Sequence, residues 1–199
     1  MPKIIDHDER RREIIDVTKD VILHGGFEAA TMRSIASAAG FANGALKHYF
    51  PSKESIVAGV FDSVLAEMVQ ASRTMPADRP AVEQLKDYIE LLLPLDEDRI
   101  AAGRVLLALW EYSMSDEALA IRYRQHLDDW RAVLLGFFSE ARAQGDIRTS
   151  TPDEQLAQEL MSVTVGANVL SLMFPSGQYI DEYGRYADTF MSRVTGGAG

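Results

Sequence analysis

The chain has 199 residues, of which 47% are hydrophobic and 25% charged, a composition ordinary for a globular protein large enough to bury a core. It contains no cysteine, which excludes disulfides, cysteine-ligated zinc, iron–sulfur clusters and a cysteine nucleophile. Its net charge of −10 argues, taken alone, against a partner made of nucleic acid. The charged N-terminus lacks the hydrophobic segment of a secretory signal, so we predict a cytoplasmic protein.

The apolar residues recur at helical spacing along the chain, and no sustained alternation typical of β-strands interrupts them. Glycine or proline separates most of the segments, as at Gly25-Gly26, Gly40, Pro51 and Gly145. We therefore predict an all-α protein. Its predicted helices cover residues 8–24, 32–39, 43–50, 53–73, 81–93, 98–114, 116–143, 152–174 and 178–194.

Residues 160–180 carry no formal charge and raise the question of a membrane span. Polar residues and the Pro175-Ser176-Gly177 break interrupt them, and the apolar part of about 15 residues is shorter than the roughly 20 that a spanning helix needs. We predict a helix buried in the core or in an interface, and no membrane partner.

The negative charge is unevenly distributed. Residues 31–53 contain no Asp or Glu, but they contain Arg33, Lys47, His48 and Lys53. A surface that lies against phosphates must exclude carboxylates, whatever charge the rest of the molecule carries. Chance clustering remains the alternative on charge alone.

The same segment has the pattern of two short helices around a turn at Gly40. Thr31 is a good N-cap for the first helix, and Ala36 and Ala39 are small enough for a second helix to pack closely across it. Leu46 and Phe50 are four residues apart and share the inner face of the second helix. This is the arrangement of a helix-turn-helix.

The remaining side chains of the second helix then face outward. Asn43 and Lys47 form one outer stripe, with Gly44 and Ala45 leaving room for DNA. Asn pairs with adenine and Lys with guanine, whereas Tyr and His are suitable phosphate donors. Each residue also fits a solvated surface position, Asn43 an N-cap, and Arg33 an ion pair with the first helix. The predicted DNA-binding residues are Thr31, Arg33, Asn43, Gly44, Ala45, Lys47, His48, Tyr49 and Lys53.

The segment TMRSIASAAGFANGALKHYFPSKE, with Gly25-Gly26-Phe27 before it, resembles the DNA-binding domain of the tetracycline-repressor (TetR) family, which commonly reads TxxxIAxxAGVSxGTLYxYFxSKexL. The resemblance implies an N-terminal three-helix helix-turn-helix domain at residues 1–52. A helical ligand-binding and dimerisation domain would follow at residues 53–199, with 53–73 as the connecting helix. Phe41, Ala42, Ala45 and Lys47 depart from the family pattern, so the operator sequence does not carry over from any relative.

The resemblance also implies the function and the partners. Proteins of this family are transcriptional regulators, so we expect a homodimeric repressor that binds double-stranded operator DNA and leaves it when a small-molecule inducer binds. It implies no cofactor, and the four histidines show no metal-ligand spacing, so we predict no metal site.

Residues 91–138 resemble the C-terminal domain of the choline-responsive betaine-synthesis repressor subgroup. Aromatic rings beside carboxylates such as Glu111, Asp128 and Asp129 can hold a cationic ligand. The candidate residues also fit a hydrophobic core with solvated acids. We predict ligand contacts from Tyr88, Trp110, Glu111, Met114, Trp130 and Phe137.

The last two predicted helices suit a dimer interface, because two such hairpins form a four-helix contact. Small residues at 166 and 167 permit close approach. We predict interface residues along one side of the first of them, at Leu156, Leu160, Val163, Ala167, Leu170 and Phe174.

Motifs typical of catalysis, such as HExxH, GxSxG, a phosphate-binding loop and GxGxxG, are absent from the sequence, so we predict no enzyme and no catalytic residues. A dimeric helical ligand-binding protein or adaptor without DNA binding is the alternative. Such a protein has no need to keep Tyr49, Lys53 and the acid-free segment.

Overall fold

The computed structural model describes residues 7–42, 44–73, 78–174 and 177–196. These residues form eight α-helices and one 3-10 turn, without a β-strand, which confirms the all-α prediction. The elements are α1 (His7–Ala29), α2 (Met32–Ala38), the 3-10 turn Ala45–His48, α3 (Lys53–Arg73), α4 (Ala81–Leu92), α5 (Glu97–Ser113), α6 (Glu117–Ala143), α7 (Asp153–Met173) and α8 (Ile180–Thr195).

Two elements differ from the sequence prediction. Helix α1 continues past Gly25 to Ala29, but Gly26 has φ 71° and ψ 178° and interrupts the helical backbone there. The helix predicted over residues 43–50 is only the 3-10 turn, which we name the reading turn (Ala45–His48). Gly44 is a poor helix former, and Pro51 disfavours helical backbone at the residue that precedes it. Few residues between these two positions are therefore free to form a regular α-helix.

Helix α1 packs against α2 through a stripe of residues four apart. Ile14 is fully buried, Ile22 nearly so, and Thr18 lies between them with its hydroxyl donating to the Ile14 carbonyl at 2.6 Å. On α2, Ile35 and Ala36 are also fully buried. The small Ala36 side chain permits this close helix packing.

Serine and threonine side chains fix the N-termini of α2 and α3. Thr31 accepts from the backbone N–H of Ser34, and the Ser34 hydroxyl accepts from the backbone N–H of Thr31. Ser52 and Ser55 make the same reciprocal pair at 3.2 and 3.3 Å. These capping boxes satisfy N–H groups that the helices leave unpaired, and the first agrees with the N-cap predicted at Thr31.

The chain divides into two compact units. The first unit comprises residues 1–70 and 105–121, and the second comprises residues 71–104 and 122–199. This division by packing differs from the division by function expected at residues 52 and 53, which stays a prediction.

The core of the second unit lies between α4, α6, α7 and α8. Leu85, Leu134 and Leu156 are buried there, and the rings of Phe138 and Phe190 approach to 6.3 Å. The end of α6 is joined to the start of α7 by one arginine. Arg142 donates to the Asp153 carboxylate at 2.6 Å and to the carbonyls of residues 149 and 151.

One helix among the described residues, α7, is long and apolar enough to cross a membrane by length and composition. Its residues Leu156, Leu160 and Ala167 are buried in the core of the second unit. A core helix of a folded protein passes the same test of length and composition, so this is weak evidence for a span.

The turn between α2 and the reading turn depends on Gly40, which has φ 71°. Apart from adjacent residues and, for Gly136, the local helix backbone, no heavy atom lies within 4 Å of a Cβ built on Gly40 or on the exposed Gly136 within α6. We expect Gly40→Ala to lower the free energy of unfolding by about 1–2 kcal/mol, because an L-residue is strained in this backbone conformation.

The matched control is Gly136→Ala, which we expect to raise the unfolding free energy by up to about 1 kcal/mol because alanine favours helix. Urea denaturation of both variants measures the two changes. Equal effects of the two substitutions would contradict the role assigned to Gly40.

Candidate DNA-binding and ligand-binding sites

The reading turn is held by one apolar side chain within it and one that follows it. Leu46 and Phe50 are fully buried, as are Ile35 and Ala36 of α2. The backbone N–H of Phe41 donates to the Ala36 carbonyl at 2.8 Å and closes the turn after α2. This packing leaves the polar residues of the turn no place in the core.

The predicted DNA-binding residues in and beside the reading turn face outward. Gly44, Lys47 and His48 are exposed and Ala45 is half-buried. Lys47, His48 and the exposed Arg33 have no side-chain partner among the described residues, so the ion pair considered for Arg33 does not form there. Thr31 is exposed and caps α2. Asn43 lies outside the described residues.

Tyr49 follows the reading turn and is half-buried. Its ring lies 5.3 Å from the ring of His7 and meets the Phe41 ring edge-on at 5.5 Å. The Tyr49 side chain is therefore fixed by two aromatic neighbours at the protein surface. Its predicted phosphate contact stays a prediction.

Two arginines of α1 that were not among the predicted site residues lie beside the reading turn. The guanidinium of Arg11 lies 4.2 Å from the centre of the Phe50 ring and donates to the Tyr49 carbonyl. Arg10 lies 5.5 Å from the Phe41 ring and pairs with Glu13. The run of three arginines at residues 10–12 was the available signal, but no local pattern indicated that α1 begins beside this turn.

Lys53 begins α3 and is half-buried. Its ammonium group donates to the Phe27 carbonyl at 3.2 Å and lies 3.9 Å from the centre of the Phe27 ring. The next residue, Glu54, is exposed, and hydrogen bonding to Ser52 is the first reason that its pKa lies below the usual value. The acid-free segment thus ends where α3 begins.

Three predicted ligand-binding residues belong to the second unit. The rings of Tyr88 on α4 and Phe137 on α6 are 5.3 Å apart. Tyr88 is buried, and burial raises its pKa to about 12, so its hydroxyl is neutral. Trp130 lies two turns before Phe137 on α6 and is 7% exposed.

Trp130 has an unusual feature for a buried residue. Its indole Nε1–H is the one buried side-chain polar atom without a hydrogen-bond partner in the described part of the chain. Buried donors are nearly always paired, because an unpaired one costs about 1–3 kcal/mol. His126 lies one turn earlier on α6, and burial lowers its pKa.

The other three predicted ligand-binding residues, Trp110, Glu111 and Met114, belong to the first unit and are exposed. The carboxylates of Asp128 and Asp129 are exposed as well. The buried polar residues among those described include no Asp or Glu. A pairing of aromatic rings with a buried carboxylate is therefore not found in these residues.

The predicted dimer interface needs correction. Leu156, Leu160 and Ala167 are at most 2% exposed because they pack into the core of their own chain, so they offer no surface to a second copy. Val163 is half-buried. Leu170 and Phe174 of the predicted set are exposed. The apolar residues that α7 and its end expose, which we name the α7 patch, are Val165, Val169, Leu170, Met173 and Phe174.

These features define a class of protein, a helix-turn-helix DNA-binding protein with additional helices that follow. Residues 14–60 match the profile of bacterial regulatory proteins of the tetR family, and residues 81–194 match the C-terminal domain of BetI-type transcriptional repressors. The chain belongs to the TetR family and is a DNA-binding transcriptional regulator with a BetI-type C-terminal domain. Members of this family are regulators, which confirms that the chain is no enzyme.

Individual relatives agree with this assignment. The chain is 32% identical to the HTH-type transcriptional regulator PksA of Bacillus subtilis over 174 residues, which is 87% of this chain and 83% of PksA. It is 30% identical to the regulator BetI of Escherichia coli over 148 residues, 72% of this chain and 74% of BetI.

Solved structures show the same fold. A transcriptional regulator from Saccharomonospora viridis, solved in complex with choline, superimposes with a TM-score of 0.85 at 22% identity and covers 93% of this chain and 96% of its own. A regulator from Rhodococcus gives a TM-score of 0.80 at 24% identity, covering 94% and 97%.

Proposed function

We propose that this regulator represses transcription as a homodimer bound to a two-fold symmetric operator, and that a small ligand bound by the C-terminal domain releases it. The observation that carries the proposal is the reading turn. Burial of Leu46 within it and of Phe50 after it leaves Lys47 and His48 exposed and unpaired in the described residues. Regulators of the TetR family bind operator DNA and small ligands.

The reading turn would enter the major groove, where Lys47 donates to guanine and the Asn43 side chain pairs with adenine. His48 in the turn, and Thr31, Arg33, Tyr49 and Lys53 around it, would contact phosphates. Gly44 and Ala45 would let the backbone approach the bases. In a dimer the two reading turns must lie about 34–36 Å apart, one helical turn of DNA.

We propose that the α7 patch forms the dimer interface. Five exposed apolar side chains lie within residues 165–174, and residues 160–180 carry no charge. Gly166 adds no side chain, and no heavy atom lies within 4 Å of a Cβ built there. A second copy of α7 can therefore approach closely and remove this apolar surface from water.

We propose that Trp130, Tyr88 and Phe137 contact the ligand. The unpaired Trp130 Nε1–H needs a hydrogen-bond acceptor, and a ligand hydroxyl or carbonyl would supply it. With no buried carboxylate among the described residues, a cationic ligand would depend on the faces of the rings. The BetI-type C-terminal domain and the choline complex of the S. viridis regulator support choline as a first probe.

Release follows from linkage between the two sites. A ligand lowers DNA affinity only to the extent that it prefers the conformation that binds DNA poorly, a coupling typically of about 1–3 kcal/mol. The experiment that tests the function is therefore DNA binding by the full chain with and without ligand.

The reading role of Lys47 is tested by selecting binding sites from a random duplex library. We expect Lys47→Ala to relax the preference at one base pair by about 1–3 kcal/mol, because the bidentate donor to guanine is lost. The control is Arg131→Ala, which removes an exposed cation on α6. An identical preferred sequence for the wild type and Lys47→Ala would remove this role, and the absence of any selected site would favour an adaptor without DNA binding.

The dimer is tested with Leu170→Glu and Met173→Glu, which place a charge in the α7 patch. We expect light scattering at micromolar concentration to give a dimer for the wild type and a monomer for each variant, because an unpaired charge in an apolar interface is costly. Ile121→Glu is the control, since Ile121 is also exposed but lies on α6. A monomeric wild type, or variants that stay dimeric, would contradict the proposed interface.

The ligand contacts are tested by calorimetry with choline and with its uncharged isostere 3,3-dimethylbutan-1-ol. We expect choline to bind more tightly, by about 0.5–2 kcal/mol, if ring faces bind the cation. Trp130→Phe should weaken both by a factor of about 2–10, because it removes the donor that both hydroxyls use, and it should weaken choline at least as much, because the indole face is replaced by a smaller ring. Equal affinities for the two compounds would show that the site does not read charge.

A further inference from the structure

Phe27 occupies an unusual position at the end of α1. It directly follows Gly26, whose φ of 71° turns the chain out of the helical path. The carbonyl oxygen and the ring of Phe27 both contact the Lys53 ammonium group. Lys53 Nζ lies 3.2 Å from the Phe27 carbonyl oxygen and 3.9 Å from the centre of the Phe27 ring. The end of α1 thus determines where the Lys53 charge lies.

A second aromatic residue holds Phe27. The ring of Tyr112 stacks on the Phe27 ring with centres 4.2 Å apart and planes inclined by 25°. An ammonium group and a stacked ring this close to one ring centre cannot share a face for steric reasons. Phe27 is therefore enclosed between Lys53 and Tyr112, and all three belong to the first unit.

The stacked ring, rather than its hydroxyl, makes this contact. Burial is the main reason that the pKa of Tyr112 is raised, and the nearby charges of Glu54 and Asp116 act in the same direction. The hydroxyl is therefore neutral at physiological pH. A phenylalanine at position 112 would keep the stack.

We propose that Tyr112 is a positioning residue for DNA binding: by stacking on Phe27 it holds the Lys53 ammonium where it meets a phosphate. The proposal rests on the DNA-binding role of Lys53 proposed above. An ammonium group has three N–H donors, and Phe27 uses one carbonyl acceptor and one ring face. A donor remains for phosphate, and a side chain already ordered loses less freedom on binding.

Tyr112 lies on the last turn of α5, whose first residues belong to the second unit. The phosphate contact at the start of α3 thus depends on a residue far along the sequence. No pattern within the helix-turn-helix segment identifies it.

The test uses the full chain and a fluorescent duplex of mixed sequence, with affinities measured by anisotropy between 50 and 200 mM salt. Lys53→Ala should reduce the salt slope by about 0.9, the value for one phosphate contact. Tyr112→Leu should weaken DNA binding about two- to fivefold. This is the effect expected when the Phe27 ring no longer holds the Lys53 ammonium, because a cation–π contact at an exposed site contributes about this much. Tyr112→Phe, the matched control, should bind like the wild type.

A double-mutant cycle separates positioning from a merely structural role. We expect Tyr112→Leu to have no further effect on affinity in the Lys53→Ala background. Phe27→Leu keeps the carbonyl and removes the ring, so it should behave like Tyr112→Leu. It replaces Tyr112→Leu in the cycle if that variant does not fold.

Several results would overturn the proposal, and they point to different errors. Failure of the wild type to bind the duplex would remove the proposed function and this inference with it. Wild-type binding with an unchanged slope in Lys53→Ala would show that Lys53 contacts no phosphate. If Tyr112→Leu lowers DNA affinity equally in the wild type and in Lys53→Ala, Tyr112 does not act through Lys53. If Tyr112→Leu binds DNA more tightly than the wild type, the contact with Phe27 keeps the Lys53 ammonium away from the phosphate.

Discussion

The burial of Leu46 and Phe50 is the interaction on which the DNA-binding surface depends. Both side chains are fully removed from solvent, and they fix one side of a single short 3-10 turn. Because an apolar side chain pointing inward forces its neighbours outward, Lys47 and His48 are presented to solvent. The reading surface is thus a consequence of core packing.

Residues distant in sequence complete this surface. Arg11 of α1 contacts both the Phe50 ring and the Tyr49 carbonyl, and Phe27 contacts the Lys53 ammonium. The contacts are made by cations on aromatic faces and by single carbonyl acceptors. Such contacts are individually worth little, yet they order long side chains that would otherwise sample many rotamers.

The second unit has two features that suit binding to a partner. Its core buries one side of α7, whereas the other side exposes the α7 patch without a compensating charge. Its aromatic residues include a buried indole donor without a partner in the described part of the chain. A second copy of the chain is the partner that we propose for the α7 patch, and a ligand is the partner that we propose for the indole N–H.

From local patterns of spacing and residue type alone, the all-α fold, the Thr31 N-cap, the turn at Gly40 and the family could be predicted. The packed structure was needed to show that Leu156, Leu160 and Ala167 face their own core. The contact between Phe27 and Tyr112 could not be predicted from the sequence either. Helical periodicity defines an apolar stripe on a helix but does not say which residues that stripe packs against. Contacts between residues far apart in sequence depend on how whole helices pack, and a local sequence pattern does not specify this packing.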